Sequence, residues 1–157
     1  GGSYENRTRF AKEVIQAIKE NVPASYPVGI RISATDWRDD GWNLDESVKF
    51  AQEIQDQGIS FIDVSTGGLI NVPIPVAPGY QLPFAARIRK ETGLKVFGVG
   101  LITEAFQAET ALQLGACDVI DVGRAILNDL NFGWHAAAKL GAHNVKASFE
   151  RTFALQH

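Results

Sequence analysis

Four short stretches hold residue types that can grip an anion or a charged ring. Gly123-Arg124 closes an apolar run over residues 119–122, interrupted only by Asp121, and helix-forming residues follow at once. A strand ending there presents a glycine, a cation and the start of a helix at one corner. Free backbone N–H groups and the positive end of the helix dipole then point the same way, toward an anion. Glycine lets the backbone approach a ligand closely, and arginine can hold two phosphate oxygens at once. The same corner also fits a βα turn whose Arg124 pairs with a neighbouring carboxylate. Gly98-Val99-Gly100 ends a second apolar run, and Ser65-Thr66-Gly67-Gly68 ends a third. Arg31 stands inside VGIRIS, an otherwise apolar stretch expected to be buried. A buried cation needs a buried anion or acceptor, which favours a functional role; the other reading is an edge residue facing solvent.

The remaining candidates carry less chemistry. Asp63 and Asp121 each precede the last valine of an apolar run and read as acids in a polar layer, structural rather than catalytic. His135 and His143 have no partner at metal-ligand spacing and read as surface residues. Trp37 and Trp42 lie in a polar loop, where they either cover something or simply pack. There is no Cys or His cluster for a metal, no P-loop and no nucleophile elbow.

These groups must be positioned by regular elements, and the pattern supplies them. Ser3 caps a helix running to about residue 20, with Phe10, Val14, Ala17 and Ile18 on one face. Residues 28–33 form a strand, and Asn43 with Glu46 makes a capping box for a helix that buries Leu44, Val48, Ala51 and Ile54. Strand 59–64, helix 84–92, strand 95–100, a helix capped by Thr103 and strand 119–122 follow. A short helix and a last one over about 134–140 complete the pattern. Gly58, Gly93 and Gly115 each stand where a helix ends and a strand begins, a place for the left-handed conformation that closes helices. The fold expected is α/β: four βα units behind a leading helix, with a parallel sheet covered by helices. No linker divides residues 1–157, so they read as a single domain, with 141–157 as a C-terminal tail. In a (βα)8 barrel, phosphate sits at the loops after the last two strands. If strands 95–100 and 119–122 are those two, Gly100 and Gly123 supply N–H groups and Arg124 the charge.

Composition agrees with a soluble globular domain: 157 residues, 45% hydrophobic and 21% charged, enough apolar content for one core. A net charge of −3 argues against nucleic acid or an anionic membrane as the partner. No apolar run approaches the ~20 residues needed to span a bilayer, and no signal peptide opens the sequence. The single cysteine, Cys117, cannot form an internal disulfide, so a cytoplasmic location is expected. The opening Gly-Gly-Ser and the absence of methionine fit removal of an initiator methionine and, equally well, a piece of something longer.

GGSYENRTRF, GIRISA, FIDVSTGG, PGYQLPFA, VFGVGLIT and IDVGRAILND occur in this order. Together they resemble the C-terminal half of an old yellow enzyme, an FMN-dependent ene-reductase of the thermophilic-like bacterial class. The resemblance implies that this chain is the last four strands of a (βα)8 TIM barrel. It implies FMN as cofactor, NADPH as reductant and an activated alkene as the small-molecule substrate. By position, Arg31 reaches the pyrimidine edge of the flavin, where a cation stabilises negative charge on the reduced ring. Gly100, Leu101, Gly123 and Arg124 match the phosphate site, and Ser65 falls in a segment that approaches it. Phe149-Glu150-Arg151 resembles the segment whose arginine enters a neighbouring subunit's active site. The substrate-binding His pair and the proton-donating tyrosine precede GGSYENR in this family, so the resemblance implies no catalytic residue here and little activity for this chain alone. The partner expected is the missing N-terminal half-barrel or a second copy, in a homo-oligomer. Two other readings stay open: a different phosphate-binding barrel such as an isomerase, and a non-catalytic half-barrel that folds or self-associates alone.

Overall fold

Four strands, β1 (Gly29–Ser33), β2 (Phe61–Ser65), β3 (Lys95–Gly98) and β4 (Val119–Ile120), pair in parallel and in chain order in the computed structural model, which describes residues 1–142. Parallel neighbours joined by right-handed crossovers place every connecting helix on the same face of the sheet. The helices are α1 (Tyr4–Asn21), α2 (Leu44–Asp56), α3 (Leu82–Thr92), α4 (Ala105–Gln113), α5 (Arg124–Asn128) and α6 (Phe132–Lys139). Among the described residues no helix is long and apolar enough to cross a membrane.

Strand alternation divides the two faces. Ile62, Val64 and Val96 point at the helices and are fully buried with Ala51, Ile54 and Ile88. On the opposite face Arg31 lies beside Asp63 in the register, and Asp63 beside Phe97. Phe61 stacks on Phe97 there, with centroids 4.9 Å apart. A Cβ on Gly29 would lie 2.2 Å from the Phe61 ring, so any larger residue there requires that ring to move.

The helix signals act largely as read. Ser3 Oγ accepts from Asn6 N at 3.4 Å, and Asn43 Oδ1 accepts from Glu46 N at 3.0 Å. The return bond of the second cap runs from Asn43 Nδ2 to Glu46 Oε2 (3.5 Å), side chain to side chain rather than to the cap's backbone. Gly58, Gly93 and Gly115 have φ of 85°, 74° and 70°, and each closes its helix.

Three expectations are corrected. The α1 face carrying Phe10, Val14, Ala17 and Ile18 is exposed, Phe10 by 77%. Tyr4, Thr8, Ala11 and Ile15 face the core instead. Thr8 can be buried because its hydroxyl donates to Tyr4 O at 3.0 Å, which satisfies the polar group locally. Thr103 does not cap α4. Glu104 holds that position without a side-chain bond, and Thr103 N donates to Gln107 Oε1. β3 and β4 are shorter than read, since Gly100 and Leu101 turn the chain out of line with φ of 134° and 51°.

Candidate functional site

Arg31 is not buried: its side chain is 56% exposed on the helix-free face of the sheet. The apolar neighbours that made it look buried, Ile30 and Ile32, point to the other face. It nevertheless has the anions its charge demands. Nη1 lies 2.5 Å from Asp63 Oδ2 and 3.6 Å from Asp121 Oδ2. Asp63 Oδ1 is buried and has no hydrogen-bond partner among the described residues. Burial first, and then the Asp63 carboxylate, push the Asp121 carboxyl above the usual range, while Arg31 opposes the rise. One cation thus faces two carboxylates, one from the adjacent strand and one from just past the end of β4.

A second constellation lies where β3 and β4 end. Gly100, Leu101, Gly123 and Arg124 line one cavity of about 110 Å³, together with Gln81 and Asp121. Gly100 is buried, and a Cβ there would meet Gln81 N at 3.2 Å, so the backbone is pressed against the turn before α3. Ile126 N donates to Gly123 O at 3.1 Å, which leaves the N–H groups of Arg124 and Ala125 without intrahelical partners, as at every helix start. The carboxylates near Arg124 are already engaged: Asp121 by Arg31, and Asp129 by His135 Nδ1 at 2.7 Å. Ser65 stands at the end of β2, donates its hydroxyl to Ile32 O at 2.9 Å, and is not among the residues lining this cavity.

Two glutamines at this site carry no sequence signal of their own. Gln81 belongs to PGYQLPFA and is 5% exposed. Gln107 lies one turn into α4 and bonds back to the turn at Leu101. His135 is exposed, as read, and lines a larger cleft of about 470 Å³ between α4, α5 and α6 with Lys139 and Arg124. The tryptophans pack. Trp42 stacks on Tyr4 and donates to Ser47 Oγ at 2.5 Å, and Trp37 meets Phe84 edge to face at 5.2 Å. Arg151 and His143 lie outside the described residues.

The model of the NADH:flavin oxidoreductase / NADH oxidase family matches residues 1–142. The chain belongs to that family of FMN-dependent oxidoreductases. It is 41% identical over 141 residues to an NADPH dehydrogenase of Geobacillus thermodenitrificans, and 43% identical to one of Listeria monocytogenes. Each match covers 90% of this chain and 41% of the relative, so the chain spans under half the length of these relatives. Among solved structures, histamine dehydrogenase from Rhizobium sp. 4-9 matches 90% of this chain and 21% of its own, with a TM-score of 0.69 and 27% identity. A dipeptide epimerase from Cytophaga hutchinsonii shares the fold alone, at a TM-score of 0.51 and 20% identity over 89% of this chain and 33% of its own.

Proposed function

We propose that this chain is the C-terminal half of a (βα)8 barrel and carries the FMN phosphate grip of an NADPH-dependent reductase of activated alkenes. One observation carries the reading: Gly100, Leu101, Gly123 and Arg124 meet around one cavity at two adjacent strand ends. The donor set fits a phosphate monoester. It offers the unpartnered N–H groups at the start of α5, a backbone bare of side chains at Gly100 and Gly123, and a guanidinium whose nearby acids are engaged elsewhere.

When bound, FMN would supply hydride-transfer chemistry between NADPH and an activated alkene. This chain's residues bind and orient it. Arg124 holds phosphate oxygens, while Ser65, whose hydroxyl donates to Ile32 O, closes the β2 segment that approaches them. Arg31 faces the pyrimidine edge of the ring from the barrel interior, with Asp63 fixing its guanidinium. The groups that clamp substrate and deliver the proton belong to the missing N-terminal half, and Arg151 serves a neighbouring subunit of a homo-oligomer. A cytoplasmic setting accords with the free, buried Cys117.

The test is a substitution in protein containing the whole barrel. Arg124→Ala is expected to weaken FMN binding by roughly 1.5–3 kcal/mol, the scale of a hydrogen bond to a charged group. Riboflavin, which has no phosphate, is expected to keep its affinity; equal losses for both would remove the phosphate assignment.

A further inference from the structure

The turn after β3 is held from two sides, by a backbone N–H and by a side-chain amide. Gly100 O accepts from Gly79 N at 2.7 Å, and Leu101 O accepts from Gln107 Nε2 at 3.0 Å. In a trans peptide the N–H points opposite to the C=O of the same plane. Fixing these two carbonyls therefore fixes the Leu101 and Ile102 N–H groups, turned away from Gly79 and Gln107. Gly79 and Gln107 are not among the residues lining the cavity, whereas Leu101 and Ile102 are. Gln107 also accepts from Thr103 N at 3.1 Å, so one side chain spans the turn and holds Leu101 at φ 51°, a conformation that L residues rarely adopt.

Gln81 supplies the other half of the bracket. Its Oε1 accepts from Thr66 N at 2.5 Å and from Thr66 Oγ1 at 2.8 Å, which anchors it to the end of β2. Its backbone N, Cβ and Cγ lie 3.2–3.4 Å from the place a Cβ would take on Gly100. Two donors converge on Oε1, so the oxygen assignment is forced by chemistry. The buried amide thereby carries the position of β2 across to the β3 turn.

We propose that Gln107 and Gln81 are positioning residues: Gln107 locks the Leu101–Ile102 peptide plane and Gln81 packs against Gly100, so that Leu101 and Ile102 present N–H donors to a phosphate dianion in the cavity. This rests on the phosphate reading of that cavity. It adds that the donors are preorganised by two uncharged side chains, of which Gln107 lies outside the cavity and Gln81 is held by Thr66.

The experiment titrates FMN and, separately, inorganic phosphate into the ¹⁵N-labelled 157-residue chain, following amide and ³¹P resonances. Wild type, Gln107→Leu and Arg124→Ala are compared. Wild type is expected to shift the Leu101, Ile102 and Gly123 amides with both probes. Gln107→Leu is expected to speed hydrogen exchange at Leu101 and Ile102 without lowering the melting midpoint. It should weaken both probes about tenfold, the scale of one hydrogen bond to a charged group, and move the bound ³¹P signal. If Gln107→Leu leaves affinity and ³¹P shift unchanged while Arg124→Ala weakens both probes, the bracket is wrong and the phosphate site stands. If neither variant changes binding, or wild type binds neither probe, the phosphate reading fails and takes the bracket with it. A loss in Gln107→Leu that tracks a fall in melting midpoint assigns Gln107 to plain stability and overturns the proposal. Gln81→Leu gives the second test: it should disturb the same two amides although it contacts the turn from the β2 side.

Discussion

Arg31 and Asp63 are register partners on adjacent strands, and Nη1 of one lies 2.5 Å from Oδ2 of the other. Asp121 approaches the same nitrogen at 3.6 Å from β4's end. Like charges so placed compete for one cation, which is why Asp121 is held above the usual carboxylate range by burial and by Asp63. Asp63→Asn removes one competitor and frees Arg31 for the other. The Asp121 carboxyl is then expected to titrate at lower pH, read by ¹³C shifts of its carboxyl carbon. An unmoved titration would show that burial alone sets it.

Asp118 anchors the opposite end of the sheet. It accepts from Arg89 Nε at 3.0 Å, Val96 N at 3.0 Å and Lys95 Nζ at 3.1 Å. Led by the Arg89 bond, these hold its carboxyl at about 2 against an ordinary 3.8. A folded-state value below the unfolded one means that the carboxylate stabilises the fold above about pH 4. That contribution is lost as pH falls through 4 toward 2. With the exposed Arg89 and Lys95 screened by solvent, Asp118→Asn is expected to cost about 1–2 kcal/mol at neutral pH. It should also flatten the acid limb of the stability curve between roughly pH 4 and pH 2. Urea melts at several pH values check both, and a parallel downward shift at every pH would contradict the linkage.

The fold was legible because its signals are local. A glycine that must close a helix, an asparagine that must cap one, and apolar runs of strand length each act within a few residues. The α1 face was misread for an equally local reason: Thr8 satisfies its own hydroxyl and takes a core position, which rotates Phe10, Val14 and Ile18 outward. Arg31's surroundings were only half legible. Its need for an anion follows from charge, but the anion comes from a residue 32 positions away, chosen by strand register. Gly100, Gly123 and Arg124 could be read because glycine and arginine at strand ends have few uses. Gln81 and Gln107 could not, since an amide side chain has a role only once the turn it spans is known.

Gly98 lies buried under Cys117. A Cβ there would sit 2.9 Å from Cys117 Sγ and 3.0 Å from Leu82 Cδ2. Gly98→Ala is therefore expected to destabilise by about 1–3 kcal/mol, the range for overpacking a filled core. Shortening the neighbour in Gly98→Ala/Cys117→Ala should recover part of the loss, because residues in contact do not add independently. Denaturant unfolding of the four-variant cycle measures the coupling, and strictly additive losses would mean that the clash relaxes elsewhere.

The last prediction concerns the open sheet. Among the described residues β1 pairs only with β2, and β4 only with β3, so each end strand has one edge without a partner there. Unpaired edges and exposed apolar side chains favour association. Here the side chains include Phe10 at 77% and Leu130 at 81% exposure. A barrel of eight strands has no edges, and four strands can reach that state with a complementary half or with a second copy. The isolated chain is expected to self-associate, to bind FMN weakly through the phosphate cavity, and to show no steady-state reduction of a simple enone by NADPH. Supplying an N-terminal half-barrel from one of its relatives should yield a discrete complex, tight FMN binding and turnover. Light scattering reads the assembly, flavin absorbance the binding, and an enone assay the activity. Turnover by the isolated chain at the rate of the complemented protein would show that the groups assigned to the missing half are not required. A stable monomer with no affinity for that half would show that the edges of this sheet need no cover.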